Sequence, residues 1–200
     1  MFAPNDAVRP FRGPQYLMGY DELENFNEEQ AIYREITVTA PPLDWKYRNV
    51  DRPTLRSDYD TIKEFVEDIA IRGYTRNALD REEIKELDIP VYRNSYIIIE
   101  LAPQAGLTFS SKTEFPAVTL GSPDTAYPEK TYGHLRYVDS TGRSHESPQV
   151  GCRLVYFAAR YREGTDVVPH LQSLNYNVVT KDGDATVVDP DVRHPGEGGI

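Results

Sequence analysis

Four aspartates crowd the end of the chain, in VVTKDGDATVVDPDVRHPGEGGI (178–200), and their type suggests one chemistry at once. Asp182, Asp184, Asp189 and Asp191 offer the hard oxygens that Ca²⁺ collects about six to eight at a time. Their spacing argues otherwise. Asn177-Val178-Val179-Thr180 and Ala185-Thr186-Val187-Val188 flank Lys181-Asp182-Gly183-Asp184, and Asp-Gly between alternating runs signals a β-hairpin. The second run would rise about 3.3 Å per residue and hold the two acidic pairs roughly 15 Å apart, beyond the reach of one ion. The expectation is a hairpin with no metal and no other cofactor. A terminal turn follows it, stiffened by Pro190 and Pro195, in which Asp191 pairs with Arg193 beside His194.

The four histidines, His134, His145, His170 and His194, show none of the H-x-H, H-x-x-x-H or H-E-x-x-H spacings that preassemble a zinc site. His134 and His145 lie on either side of Ser140-Thr141-Gly142-Arg143, and a hairpin there would turn them toward each other. Together with Asp139 and Glu146 they form the acid and His set that a small hydrolase or transferase would need, without a recognised motif. No G-x-S-x-G elbow is present, and Ser110-Ser111-Lys112 lacks the S-x-x-K order. The single cysteine, Cys152, sits in the apolar run GCRLVYF and reads as a buried, inert thiol. One cysteine also excludes an intrachain disulfide and is compatible with a reducing, cytoplasmic compartment.

Fourteen tyrosines against seven phenylalanines and one tryptophan are the compositional oddity. Tyrosine joins a rigid apolar body to a polar tip and suits contact surfaces. In the β-rich half, Tyr92, Tyr96, Tyr137, Tyr156, Tyr161 and Tyr176 fit half-exposed strand positions. The N-terminal stretch is different. Pro4, Pro10 and Pro14 break any period, and Phe2, Phe11, Tyr16, Leu17, Met18 and Tyr20 are the rings and apolar side chains of an extended arm. These six are the candidate contact residues for a protein partner or for self-assembly.

The elements that would position these groups are legible as periodicities. REITVTA (34–40) alternates like a half-buried strand, and Pro41-Pro42 ends it. WKYRNVDRP reads as a polar link. In SDYDTIKEFVEDIAIRG, Ile62, Phe65, Val66, Ile69 and Ala70 recur at helical spacing, with Ser57 or Asp58 as the expected cap and Gly73 as the stop. A second short helix is expected over residues 80–87, with Asp80 as cap, Glu83 three residues on and Pro90 beyond. Runs at 91–102, 114–121, 132–140, 150–163, 172–182 and 184–189 are β-branched and aromatic, separated by turn residues.

The predicted architecture is α+β with β dominant, an antiparallel β-sandwich-like domain carrying two short helices and an extended N-terminal arm. Its parts are the arm (1–33), a first strand plus two helices packed on the core (34–90), the sandwich-like core (91–190) and a flexible tail (191–200). A formal charge of −10 argues against nucleic acid as a partner, because the long-range field repels phosphate. No run is long enough for a membrane span. Asp-Pro-Asp-Val-Arg-His-Pro-Gly after an alternating strand resembles the close of a group of small bacterial proteins, some of them labelled nucleotide synthetase, over about residues 171–199. The resemblance implies nucleotide chemistry, but the chain has neither G-x-x-x-x-G-K-[ST] nor G-x-G-x-x-G, and no helix follows Gly196, Gly198 and Gly199 to receive a phosphate. The function expected from the residues is a non-enzymatic structural or binding subunit of a larger assembly, with the hydrolase or transferase and a carbohydrate-binding module as alternatives.

Overall fold

The computed structural model describes residues 8–9, 15–38, 47–51, 61–72, 82–84, 88–91, 93–124, 130–161, 170–188 and 191–194. In chain order the strands are β1 (Val8–Arg9), β2 (Tyr16–Leu17), β3 (Ile32–Val38), β4 (Tyr47–Asp51), β5 (Glu82–Ile84), β6 (Asp88–Pro90), β7 (Ser95–Leu101) and β8 (Leu107–Phe109). They continue with β9 (Val118–Leu120), β10 (Tyr132–Val138), β11 (Ser144–His145), β12 (Leu154–Ala159), β13 (His170–Thr180), β14 (Ala185–Val188) and β15 (Asp191–His194). Helix α1 (Ile62–Arg72) lies between β4 and β5. Seven strands form one sheet in the order β11-β10-β12-β7-β3-β4-β5. The other eight are gathered around the long β13, which pairs with β8, β9, β14 and β15, while β1 adds to β14, β2 to β9 and β6 to β15.

Period-two alternation sorts the seven-stranded sheet into two faces. Ile36 and Val38 of β3, Ile97 and Ile99 of β7, and Val155 and Phe157 of β12 share one apolar cluster with Phe109, Val118, Leu174, Tyr176 and Val178 of the other sheet. The alternate residues Tyr33, Tyr96, Ile98, Leu154 and Tyr156 form a second cluster with Ile62, Phe65, Val66 and Ile69, the predicted apolar face of α1. Both faces are therefore covered, and burying an Ile or Leu side chain at such positions contributes about 1.5–3 kcal/mol.

Thr61 caps α1. Its Oγ1 accepts the Glu64 N–H at 3.3 Å, and Thr61-Ile62-Lys63-Glu64 has the order of a capping box. The expected caps Ser57 and Asp58, and the stop at Gly73, lie outside the described residues. Close packing of the helix is visible at Gly142, in the β10–β11 turn: its φ is +86°, and a Cβ there would meet Cα of Glu67 at 2.9 Å.

Several expectations need correction. In the segment read as a second helix, Glu82–Ile84 is strand β5, paired antiparallel with β4. A capping-box spacing carries little weight against a free strand edge to pair with. The polar link contains β4 itself. The tail read as flexible from residue 191 begins with β15, which pairs antiparallel with β13 and in parallel with β6. Pairing is not wholly antiparallel either: β3 and β7 run parallel, in register from Ile32↔Ser95 to Val38↔Leu101, as a crossover carrying α1 permits. That placement puts β3 inside its sheet, where Arg34, Glu35 and Thr37 are buried with their apolar neighbours. Tyr96, Tyr137, Tyr156 and Tyr176, expected half exposed, are buried too. No helix among the described residues is long and apolar enough to cross a membrane.

Candidate functional site

The residues proposed for chemistry or contact are dispersed over the fold, and the N-terminal stretch organises the surroundings of His134. In β10 the register with β12 shifts between Gly133 and Arg136, a bulge in which His134 takes φ +55°. The bulge turns backbone N–H groups away from the ladder, and the N-terminal segment receives them: His134 N–H donates to the Asp21 carbonyl at 2.7 Å and Leu135 N–H to Gly19 at 3.2 Å. Arg136 donates to the Tyr20 carbonyl and Arg160 to that of Glu24. A Cβ on Gly133 would stand 2.8 Å from Leu23 Cδ2 and 3.1 Å from the Asp21 carbonyl oxygen, so a larger residue there would push against the overlying chain. Upstream, the Thr119 hydroxyl donates to Gln15 Oε1 at 2.7 Å, Gln15 Nε2 donates to Asn177 Oδ1 at 3.1 Å, and the buried Asn177 amide donates to the Pro116 carbonyl at 2.7 Å.

Residues 15–31 thus form a strap held by backbone acceptors, and its side chains divide. Met18, 2% exposed, belongs to the core shared by the two sheets, and Tyr20 packs against that core. Leu23 and Ala31 join the cluster under α1. Tyr16 and Leu17, 37% and 63% exposed, face solvent on β2, whose one partner among the described strands is β9. Phe2 and Phe11 lie outside the described residues.

The acid and His set is split. The β10–β11 hairpin brings Asp139 and His145 together, with Nε2 of His145 2.8 Å from Oδ2. Oδ1 of the same carboxylate accepts the Thr141 N–H, the Thr141 hydroxyl and the Arg143 N–H at 2.8, 2.6 and 3.1 Å. The Thr141 hydroxyl first, and then His145, hold the Asp139 carboxyl well below the usual carboxylate range. An ionised carboxylate only accepts, so the His145 Nε2–H donates. These bonds close a turn, with the carboxylate lone pairs taken up by local donors. Glu146 pairs with Arg136 at 3.0 Å and is itself exposed. His134 points elsewhere, into the aromatic cluster under the strap, with its ring centroid 5.7 Å from that of Tyr96 and 6.0 Å from that of Tyr156. Burial first, and then the Arg136 charge, lower its pKa to about 4, so the imidazole is neutral near pH 7.

Cys152 lies in the wall of a cleft of about 250 Å³ between the end of α1, β7 and the 149–153 turn, with Glu100, Asp139 and Val150. Its thiol is buried and directed at the carbonyls of Leu154 (3.0 Å) and Val138 (3.3 Å). Burial pushes its pKa up to about 11, the opposite of an activated nucleophile.

Asp182 and Asp184 occupy the expected hairpin turn, where Thr180 N–H donates to the Asp184 carbonyl at 2.9 Å and Val179 stands opposite Ala185. Asp189 lies outside the described residues. The backbone also sets His170 of β13 opposite His194 of β15, a juxtaposition with no signal in the sequence spacing. Sequence reasoning missed Arg136 and Arg160 as well, because the groups they bind are main-chain carbonyls that any residue could supply. No protein-family model and no curated protein matches the chain.

Proposed function

We propose that this chain is a non-enzymatic structural or binding subunit that assembles with a second copy of itself through β2, its two sheets stacked as a sandwich that holds the strap in place. The exposure of Tyr16 and Leu17 on a strand edge, beside the buried Met18, carries this reading. An edge strand offers unpaired N–H and C=O groups, and two such edges meet antiparallel across a two-fold axis. The acidic charge of −10 supports a protein partner over nucleic acid, and a single cysteine with no intrachain partner is compatible with a reducing, cytoplasmic setting.

Because Cys152 is buried, a single introduced thiol can report on the contact. Leu17→Cys, treated with a short bis-maleimide at micromolar protein, is expected to give a covalent dimer. Ile71→Cys, on an equally exposed apolar position of α1, is expected to give none. Equal crosslinking at both positions, or none at residue 17, would rule the edge contact out.

A further inference from the structure

No two of the four histidines are spaced in the chain as metal ligands, yet strand pairing brings two of them to one place. In the antiparallel pair of β13 and β15 the register runs His170↔His194, Leu171↔Arg193, Gln172↔Val192 and Ser173↔Asp191. His170 opens β13 and His194 closes β15, so the two histidines are the end pair of this ladder. Residues directly opposite in an antiparallel pair belong to the same face of the sheet, with Cβ atoms about 4.5–5.5 Å apart. Imidazoles at two such positions are within reach of one ion, because a ring nitrogen coordinates zinc at about 2.0–2.1 Å.

The register is held from both sides. β6 lies along the other edge of β15, in parallel from Asp191↔Asp88 to Arg193↔Pro90. On β13, the Gln172 side chain, 1% exposed, donates to the Ser122 carbonyl at 3.1 Å and to its hydroxyl at 2.9 Å, and the Gly121 N–H donates to the Ser173 carbonyl at 2.8 Å. A slip of one residue would send the two histidines to opposite faces, so these bonds keep them matched. By alternation the pair continues the row of Leu174 and Gln172 on β13, Val192 on β15 and Ile89 on β6, none of them charged. Asp191 and Arg193 fall on the other face.

The donor type selects the ion. Imidazole nitrogens suit Zn²⁺, Ni²⁺ and Cu²⁺, whereas Ca²⁺ and Mg²⁺ require oxygen. The other two histidines are engaged elsewhere, His145 with Asp139 and His134 among Tyr96 and Tyr156. We propose that His170 and His194 form a two-imidazole site for a late first-row transition metal ion such as Zn²⁺, which ties β15 to β13 at the end of their ladder.

Titration calorimetry and thermal unfolding of the full chain, untagged and stripped of metal, test it with ZnCl₂ against CaCl₂. One Zn²⁺ per chain is expected to bind saturably, and at about tenfold excess over its Kd to raise the unfolding midpoint by about 3 °C or more, with no shift from CaCl₂. Binding is expected to fade toward about pH 5 as the imidazoles protonate. His170→Ala and His194→Ala are each expected to weaken it by at least the roughly tenfold that loss of even an outer partner costs, and His145→Gln is expected to leave it unchanged. In the wild type, where no substitution disturbs folding, the imidazole C–H signals of two of the four histidines are expected to shift together as Zn²⁺ is added. Absence of saturable Zn²⁺ binding, an equal response to Ca²⁺, binding lost in His145→Gln but kept in His170→Ala, or no pair of imidazole signals that moves would overturn the proposal. So would stability that changes with pH but not with Zn²⁺, the mark of two rings that share a proton and hold no metal.

Discussion

Acidification is expected to loosen the strap through one side chain. The His134 ring is half-buried among Tyr96, Tyr156 and the strap residues, and its backbone N–H is bonded to Asp21. The charged groups facing it are Arg136 on its own strand, Glu22 on the strap and Glu146 after β11. Its pKa is about 4 in the folded chain against 6.5 when unperturbed, so the unfolded chain takes up the proton first. Stability is then fully present above about pH 6.5, falls as pH drops, and is lost by about pH 4. The gap corresponds to roughly 3 kcal/mol as a ceiling, of which about 1 kcal/mol is gone by about pH 5.5.

Urea unfolding at a series of pH values, compared between the wild type and His134→Asn, isolates this contribution, since every other titratable group is present in both. Asn tolerates the positive φ at this position and does not titrate. The wild type is expected to lose stability relative to the variant through that window. A wild-type-minus-variant difference that is flat from neutral pH to about pH 4 would mean that His134 does not couple the strap to pH.

Four further outcomes follow from the same contacts. Met18→Ala opens a cavity between the two sheets and is expected to cost about 2–5 kcal/mol in urea unfolding, as a residue of a loose arm would not. Arg136→Ala leaves the Tyr20 and Leu135 carbonyls short of a donor and is expected to cost about 2 kcal/mol or more, with faster amide exchange at His134 and Leu135 as its local signature. Gly142→Ala meets both a positive φ and the Glu67 backbone, and is expected to lower the thermal midpoint by straining the contact of the β10–β11 turn with α1. Cys152 is expected to react with a thiol reagent near pH 8 only as fast as the chain opens, so that urea and not pH controls the rate; prompt labelling of the native protein would contradict its burial.

How much of this could be read from residue types depends on whether side chains or backbone carry the information. The apolar face of α1 and the doubly apolar run of β12 were legible because burial acts on side-chain periodicity. Glu82–Ile84 was misread because a local capping pattern says nothing about the open edge of β4 beside it. Glu35 and Thr37 looked solvent-facing by alternation, yet β3 lies inside its sheet with both faces covered. The strap was read as an arm because main-chain carbonyls of Gly19, Tyr20, Asp21 and Glu24 hold it, and a carbonyl leaves no mark in the sequence. The bulge at His134 that creates its partners was equally invisible. Of the acid and His set, only Asp139 and His145 came together, because a hairpin of known turn length juxtaposes nearby residues, whereas His134 follows the bulge to the aromatic cluster.

The strap belongs to the fold, whereas Tyr16 and Leu17 are proposed to belong to an assembly, and deleting the whole segment would confound the two by removing Met18 and Leu23 from the cores. Light scattering over a wide concentration range, on the full chain beside Leu17→Asp, separates them. A concentration-dependent dimer or larger species is expected for the wild type, and a folded monomer with an unchanged unfolding midpoint for Leu17→Asp. A wild-type chain that is monomeric at every concentration, or an aspartate variant that assembles as well as its parent, would contradict it.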